Sequence, residues 1–179
     1  MAKRQTSSEA TRSPGSAPQL GQNNGTGASP EEADLFGKVD TLLREGQADK
    51  ALNVLARASV KSPWVTNALG VCQLRLGSVK VAVDLFRGLV LGAGLVLRKD
   101  VPAVFKTNYA TALLLSGNVD GCLVALEAVG DEQSPAVQRL QEAVGRWQQR
   151  LTIWQKLNWW MGGQPDCPVT LDFPPGDLE

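Results

Sequence analysis

NALGVCQLRLGSVKVAVDLF, residues 67–86, is the stretch that decides the fold. Gly70 stands seven residues before the turn glycine Gly77, and Ala82 and Phe86 follow it. A small residue, a turn glycine, then a small and a large apolar residue describe two antiparallel helices packed closely. Helix axes approach within ~8–10 Å only where the contacting residues are small. The same elements recur on either side. Gly46 is followed by Ala51, Leu55, Ala58 and Pro63. Gly117 is preceded by Tyr109-Ala110 and followed by Cys122, Leu126, Val129 and Pro135. Three helix pairs are therefore expected. The turn glycines are 31 and then 40 residues apart, which places an insertion between the second and third pairs, at residues 93–101.

Helix starts repeat one device. Ser29-Pro30-Glu31-Glu32, Lys61-Ser62-Pro63 and Ser134-Pro135 each offer a serine cap with proline at the first helical position. The spacing predicts helices from Pro30 to Gly46, from Asp49 to Ala58, from Pro63 to Gly77 and from Val79 to Leu91. A fifth follows Asp100-Val101-Pro102 as far as Gly117, and a sixth spans Val119 to Val129. A seventh, residues 134–161, is expected to run unbroken to Gly162-Gly163, about 40 Å of helix. Leu140, Val144, Trp147, Leu151 and Trp154 form its seam. Residues 162–179 are rich in proline and are expected to lie extended, and residues 1–29 are too polar to build a core and are expected to be disordered.

The three glycine-centred copies resemble the tetratricopeptide repeat over residues 32–135, a family with a period of about 34 residues. Where that family places a tryptophan and a tyrosine, this chain has Thr66 and Gln73 in one copy, and Lys106 and Leu113 in the next. The resemblance implies an all-α, right-handed α-α superhelix of about three helix pairs, closed by a long capping helix and an extended tail. The ordered domain would span residues 30–161. In such repeats the first helix of each pair lines a concave surface that holds another protein. The implied partner-binding residues are Phe36, Asp40 and Arg44, then Trp64, Asn67, Val71 and Arg75, then Val104, Thr107, Asn108 and Thr111, with Lys106 at the margin. Asn67 and Asn108 would hydrogen-bond the backbone of an extended peptide. Trp64 would be either a staple on the neighbouring pair or an exposed anchor for a ligand.

Composition narrows the function classes. Eighteen basic residues balance eighteen acidic ones, so the chain has no electrostatic footprint for nucleic acid. It contains no histidine, which removes histidine bases, histidine-activated nucleophiles and histidine metal sites. Cys72, Cys122 and Cys167 lack metal or redox spacing, and Cys72 and Cys122 read as core residues. The expectation is a non-catalytic, cytoplasmic protein–protein interaction module without metal or cofactor, an adaptor or scaffold for a peptide or protein. No apolar run is long enough to span a bilayer, which argues against a membrane protein. A second surface is expected at the end of the seventh helix, from Trp154, Trp159, Trp160 and Met161. Val169, Leu171 and Phe173 alternate, so the tail could fold back over those tryptophans. Otherwise they would meet a second copy of the chain, a partner during assembly, or a membrane surface.

Overall fold

A computed structural model describes residues 30–178. The expectations for residues 1–29, including the cap at Ser29, lie outside the described residues. Among those residues the protein is all-α. Its helices are α1 (Pro30–Arg44), α2 (Ala48–Arg57), α3 (Pro63–Arg75), α4 (Val79–Val90), α5 (Ala103–Leu115), α6 (Val119–Glu127), α7 (Pro135–Arg150) and α8 (Ile153–Trp160). The insertion between the second and third pairs is a 3₁₀ turn at Ala93–Leu95, closed by a single bridge between Leu91 and Leu97.

The first six helices form three packed pairs, α1 with α2, α3 with α4 and α5 with α6. One hydrogen-bond pattern makes all three turns. The N–H groups of Gly46, Gly77 and Gly117 donate to Leu43, Leu74 and Leu114, while the next residues, Gln47, Ser78 and Asn118, donate five positions back. This closure needs a left-handed residue, and the three glycines have φ of 73°, 76° and 84°. Beyond each turn, Ala51, Ala82 and Cys122 are wholly buried against the preceding helix. At Gly70 the close approach is extreme, since an added Cβ would lie 2.5 Å from the Phe86 ring. Phe86 is fully buried, and burying such a side chain contributes about 1.5–3 kcal/mol.

Successive pairs stack through α2 on α3 and α4 on α5, and α3 also meets α5 directly. The first helices of the second and third pairs thus lie side by side. Ser62 caps α3 by accepting from the Val65 N–H, as the serine-proline signal predicts.

The C-terminal third departs from expectation in two ways. The seventh helix is not continuous to Met161, because the chain is extended at Leu151 (ψ 133°) and restarts at Thr152. Thr152 and Gln155 form a reciprocal capping box, which satisfies orphan N–H groups and makes a fresh helix start favourable there. Leu140, Val144, Trp147 and Leu151 are buried as the seam requires, but the break swings Trp154 to the outside. The second departure concerns the tail, which does not cover Trp154, Trp160 and Met161. It runs back along α7 to the face shared by α3 and α5, and those three side chains are exposed.

Candidate functional site

Two asparagines on adjacent helices begin the site. Asn67 of α3 and Asn108 of α5 are almost fully buried, at 1% and 2% exposure. Asn108 Nδ2 donates to Asn67 Oδ1 at 2.9 Å and to the Asp177 carbonyl at 2.7 Å. Its Oδ1 accepts the Asp177 N–H at 2.9 Å. One side-chain amide therefore pairs with both main-chain groups of a single residue, as a neighbouring strand would. The pairing fixes which way Asn108 points, because only its amide nitrogen can meet a carbonyl. Among the described residues Asn67 Nδ2 has no hydrogen-bond partner, a buried donor of the kind that costs about 1–3 kcal/mol when left alone.

Arg75, at the end of α3, extends the same grip. Its Nη1 donates to the Leu43 carbonyl at the end of α1 (2.9 Å), which holds the guanidinium in place. The other nitrogens donate to the Pro175 carbonyl at 3.3 Å and the Gly176 carbonyl at 3.1 Å. Gly176 is buried with φ of 81°, and an added Cβ would lie 3.1 Å from Val71 Cγ2. Side chains reinforce the main-chain contacts. Arg139 of α7 pairs with the Asp177 carboxylate at 3.2 Å and lies 5.1 Å over the Phe173 ring. Upstream, Trp147 donates from Nε1 to the Cys167 carbonyl at 2.7 Å.

The remaining expected site residues divide. Phe36, Asp40, Arg44 and Trp64 line a cleft of about 1220 Å³ that continues from Asp177 and Leu178 along α1 and past the starts of α3 and α7. Asp40 and Arg44 form an exposed pair across one helical turn at 2.8 Å. Trp64 is a staple, its ring edge-on to Phe105 of the next pair at 4.9 Å between centroids. Thr107 and Thr111 are buried and donate their hydroxyls to the carbonyls of Ala103 and Thr107, so neither hydroxyl is turned to the tail. Lys106 is also buried. Its ammonium donates to the carbonyls of Ala128 (3.1 Å) and Lys99 (3.4 Å), tying the insertion to the end of α6 rather than offering charge to the groove.

Of the second surface, Trp159 turns inward. It packs edge-on against Trp147 at 5.2 Å and donates from Nε1 to Asp120 at 3.0 Å. Trp154, Trp160 and Met161 point outward. The cysteines of the core are chemically muted, because burial pushes the Cys72 thiol up to about 11 and the Cys122 thiol up to about 12. Both stay protonated at neutral pH and are poor nucleophiles.

The sequence pattern groups Asn67, Arg75 and Asn108 on one surface but does not reveal the segment they hold. The signal for that segment is the Pro-Pro-Gly-Asp run at residues 174–177, whose glycine alone tolerates both the backbone angle and the contact with Val71. No family model, no curated protein and no solved structure matches the chain. The class that the residues and geometry define is an all-α protein of packed helix pairs that holds the main chain of its own C-terminal tail against α3 and α5.

Proposed function

We propose that this chain is a non-catalytic protein-interaction module, a right-handed stack of three tetratricopeptide-like pairs whose concave face grips an extended peptide. The observation that carries this reading is the two-way hydrogen bonding of Asn108 to the main chain of Asp177. Side chains that bind main-chain groups recognise an extended backbone whatever its sequence, and pockets alongside then select residues. Here the selecting features are Val71, which demands glycine, and Arg139, which favours an aromatic ring and an acid. The protein's own segment 173–178 is the resident occupant. A partner segment of the same chemistry would take its place, with the cleft beside Phe36 and Trp64 accepting whatever extends beyond it. An adaptor or scaffold role follows from this reading.

The test is titration of a labelled peptide carrying the sequence of residues 169–178 into protein truncated after Gly163. The truncated protein should bind it. Full-length protein should bind at least about tenfold more weakly, because its own tail is at high effective concentration. Asn108→Ala should weaken binding by about tenfold or more. A folded truncated protein that ignores the peptide would overturn the proposal, as would binding indifferent to Asn108. If the truncated protein does not fold, full-length Gly176→Val provides the released tail instead, and the same outcomes decide.

A further inference from the structure

The outer face of α8 and its C-cap gathers five of the ten exposed large apolar side chains among the described residues. Ile153, Trp154, Leu157, Trp160 and Met161 are exposed at 83%, 79%, 41%, 83% and 67%. At roughly 100° per residue all five fall within one arc of about 120°. Large side chains present ~150–250 Å² each when bare, so this face offers on the order of 700 Å² of apolar surface. That exceeds the ~300–600 Å² of the largest patch on a typical monomer. It is close to the ~800 Å² that each partner contributes to a standard interface.

The arrangement of the five residues indicates which partner fits. Measured from Leu157, they stand at −4, −3, 0, +3 and +4. The positions are therefore symmetric under reversal of the helix. A surface that binds its own copy across a twofold axis must be self-complementary, each contact occurring twice. An antiparallel pair of α8 helices crossing at Leu157 meets this condition. Leu157 would rest on Leu157 of the second copy, Trp154 on Trp160, and Ile153 on Met161. The one charged residue of α8, Lys156, would face Asn158 of the second copy, so like charges do not meet. A bilayer surface is the poorer fit. Helices that lie in the membrane interface carry basic residues along their polar face, and α8 has a single lysine.

We propose that α8 is a dimerisation helix: a second copy of this chain docks antiparallel on its outer face, about a twofold axis through Leu157. Sedimentation of the full chain across a wide concentration range should show a monomer–dimer equilibrium. Leu157→Arg sets two like charges on the axis and should weaken dimerisation at least about 100-fold with helicity unchanged. Cysteine cross-linking, in a Cys167→Ser background, reads the symmetry itself. Leu157→Cys alone should give a covalent dimer under mild oxidation. Trp154→Cys and Trp160→Cys should each fail alone and cross-link when mixed. A monomer at every concentration overturns the proposal. So does a dimer that survives Leu157→Arg, a cross-link formed by Trp154→Cys alone, or monomer captured by phosphatidylcholine or phosphatidylserine vesicles in place of a dimer.

Discussion

The helix pairs of residues 30–127 and the C-terminal third of residues 135–178 are held by contacts of different reach. Within the pairs, each helix packs on its neighbours in sequence, and the three turns repeat one hydrogen-bond pattern at Gly46, Gly77 and Gly117. In the C-terminal third the partners are distant. Arg75 reaches 101 residues to Gly176, Asn108 reaches 69 to Asp177, and Trp159 reaches 39 back to Asp120. The pairs make the groove and the tail responds to it. This hierarchy implies that damage to a pair removes the groove and the tail together, whereas damage to the tail's grip leaves the pairs standing.

The sharpest way to break that hierarchy is Gly70→Leu. The Phe86 ring is fully buried and lies 2.5 Å from where the first side-chain carbon would go, so α3 and α4 must separate. We expect a loss of ~3 kcal/mol or more by overpacking, read from denaturant unfolding. Because α3 carries Asn67, Val71 and Arg75, tail docking should fail as well, visible as rapid proteolysis of residues 164–178. A variant that melts within a degree or two of the parent would refute the close approach on which the pairs depend.

Asn108→Ala probes the other side of the comparison. It removes two hydrogen bonds to Asp177 and one to Asn67 in a buried setting, for an expected cost of about 1–3 kcal/mol. Hydrogen exchange should show lost protection at the Asp177 amide, with protection retained at the turn amides of Gln47, Ser78 and Asn118. Uniform loss across the chain would mean that tail and pairs form one cooperative unit. Arg139→Ala is the useful contrast. Its pair with Asp177 is half-exposed on both sides, and such pairs contribute only about 0–1 kcal/mol.

The same division governs how much of the fold is legible in the amino-acid sequence. Turn glycines, serine-proline starts and the small residues Gly70, Ala82, Ala110 and Cys122 act within one helix pair, so their pattern survives in a linear reading. The insertion at residues 93–101 is legible for the same reason, as a displaced interval between glycines. Asn67, Arg75 and Asn108 are legible as a polar group on the first helices. The occupant is not, since nothing local in Phe173-Pro-Pro-Gly176 states that Val71 and Arg75 lie across from it. The break at Leu151 escapes a linear reading although Thr152 and Gln155 spell a capping box, because the apolar seam from Leu140 to Trp154 continues through it. Periodicity records which side is apolar and cannot by itself distinguish a straight helix from two that meet at an angle. That one ambiguity takes Trp154, the last residue of the expected seam, out to the second surface, and turns Trp159, expected on that surface, inward.

A small effect, confined to alkaline pH, concerns the interior of the pairs alone. Burial pushes the Cys122 thiol from its ordinary value of 9.0 up to about 12, with no charged neighbour contributing. The folded state thus favours the protonated form more than the unfolded chain does. Below about pH 9 both states keep the proton and stability is unaffected. As pH rises past 9 the unfolded thiol ionises while the folded one does not, so stability falls, and the fall continues until the folded pKa is reached. At pH 10 the loss should be about 1 kcal/mol from this residue. Cys122→Ala lowers stability at neutral pH by leaving a small void, yet it should flatten the alkaline slope relative to the parent chain. Unfolding free energies measured from pH 7 to pH 10.5 on both proteins give the two slopes. Equal slopes would mean that Cys122 ionises as readily folded as unfolded, and the α5–α6 contact would then be more open to water than its packing shows.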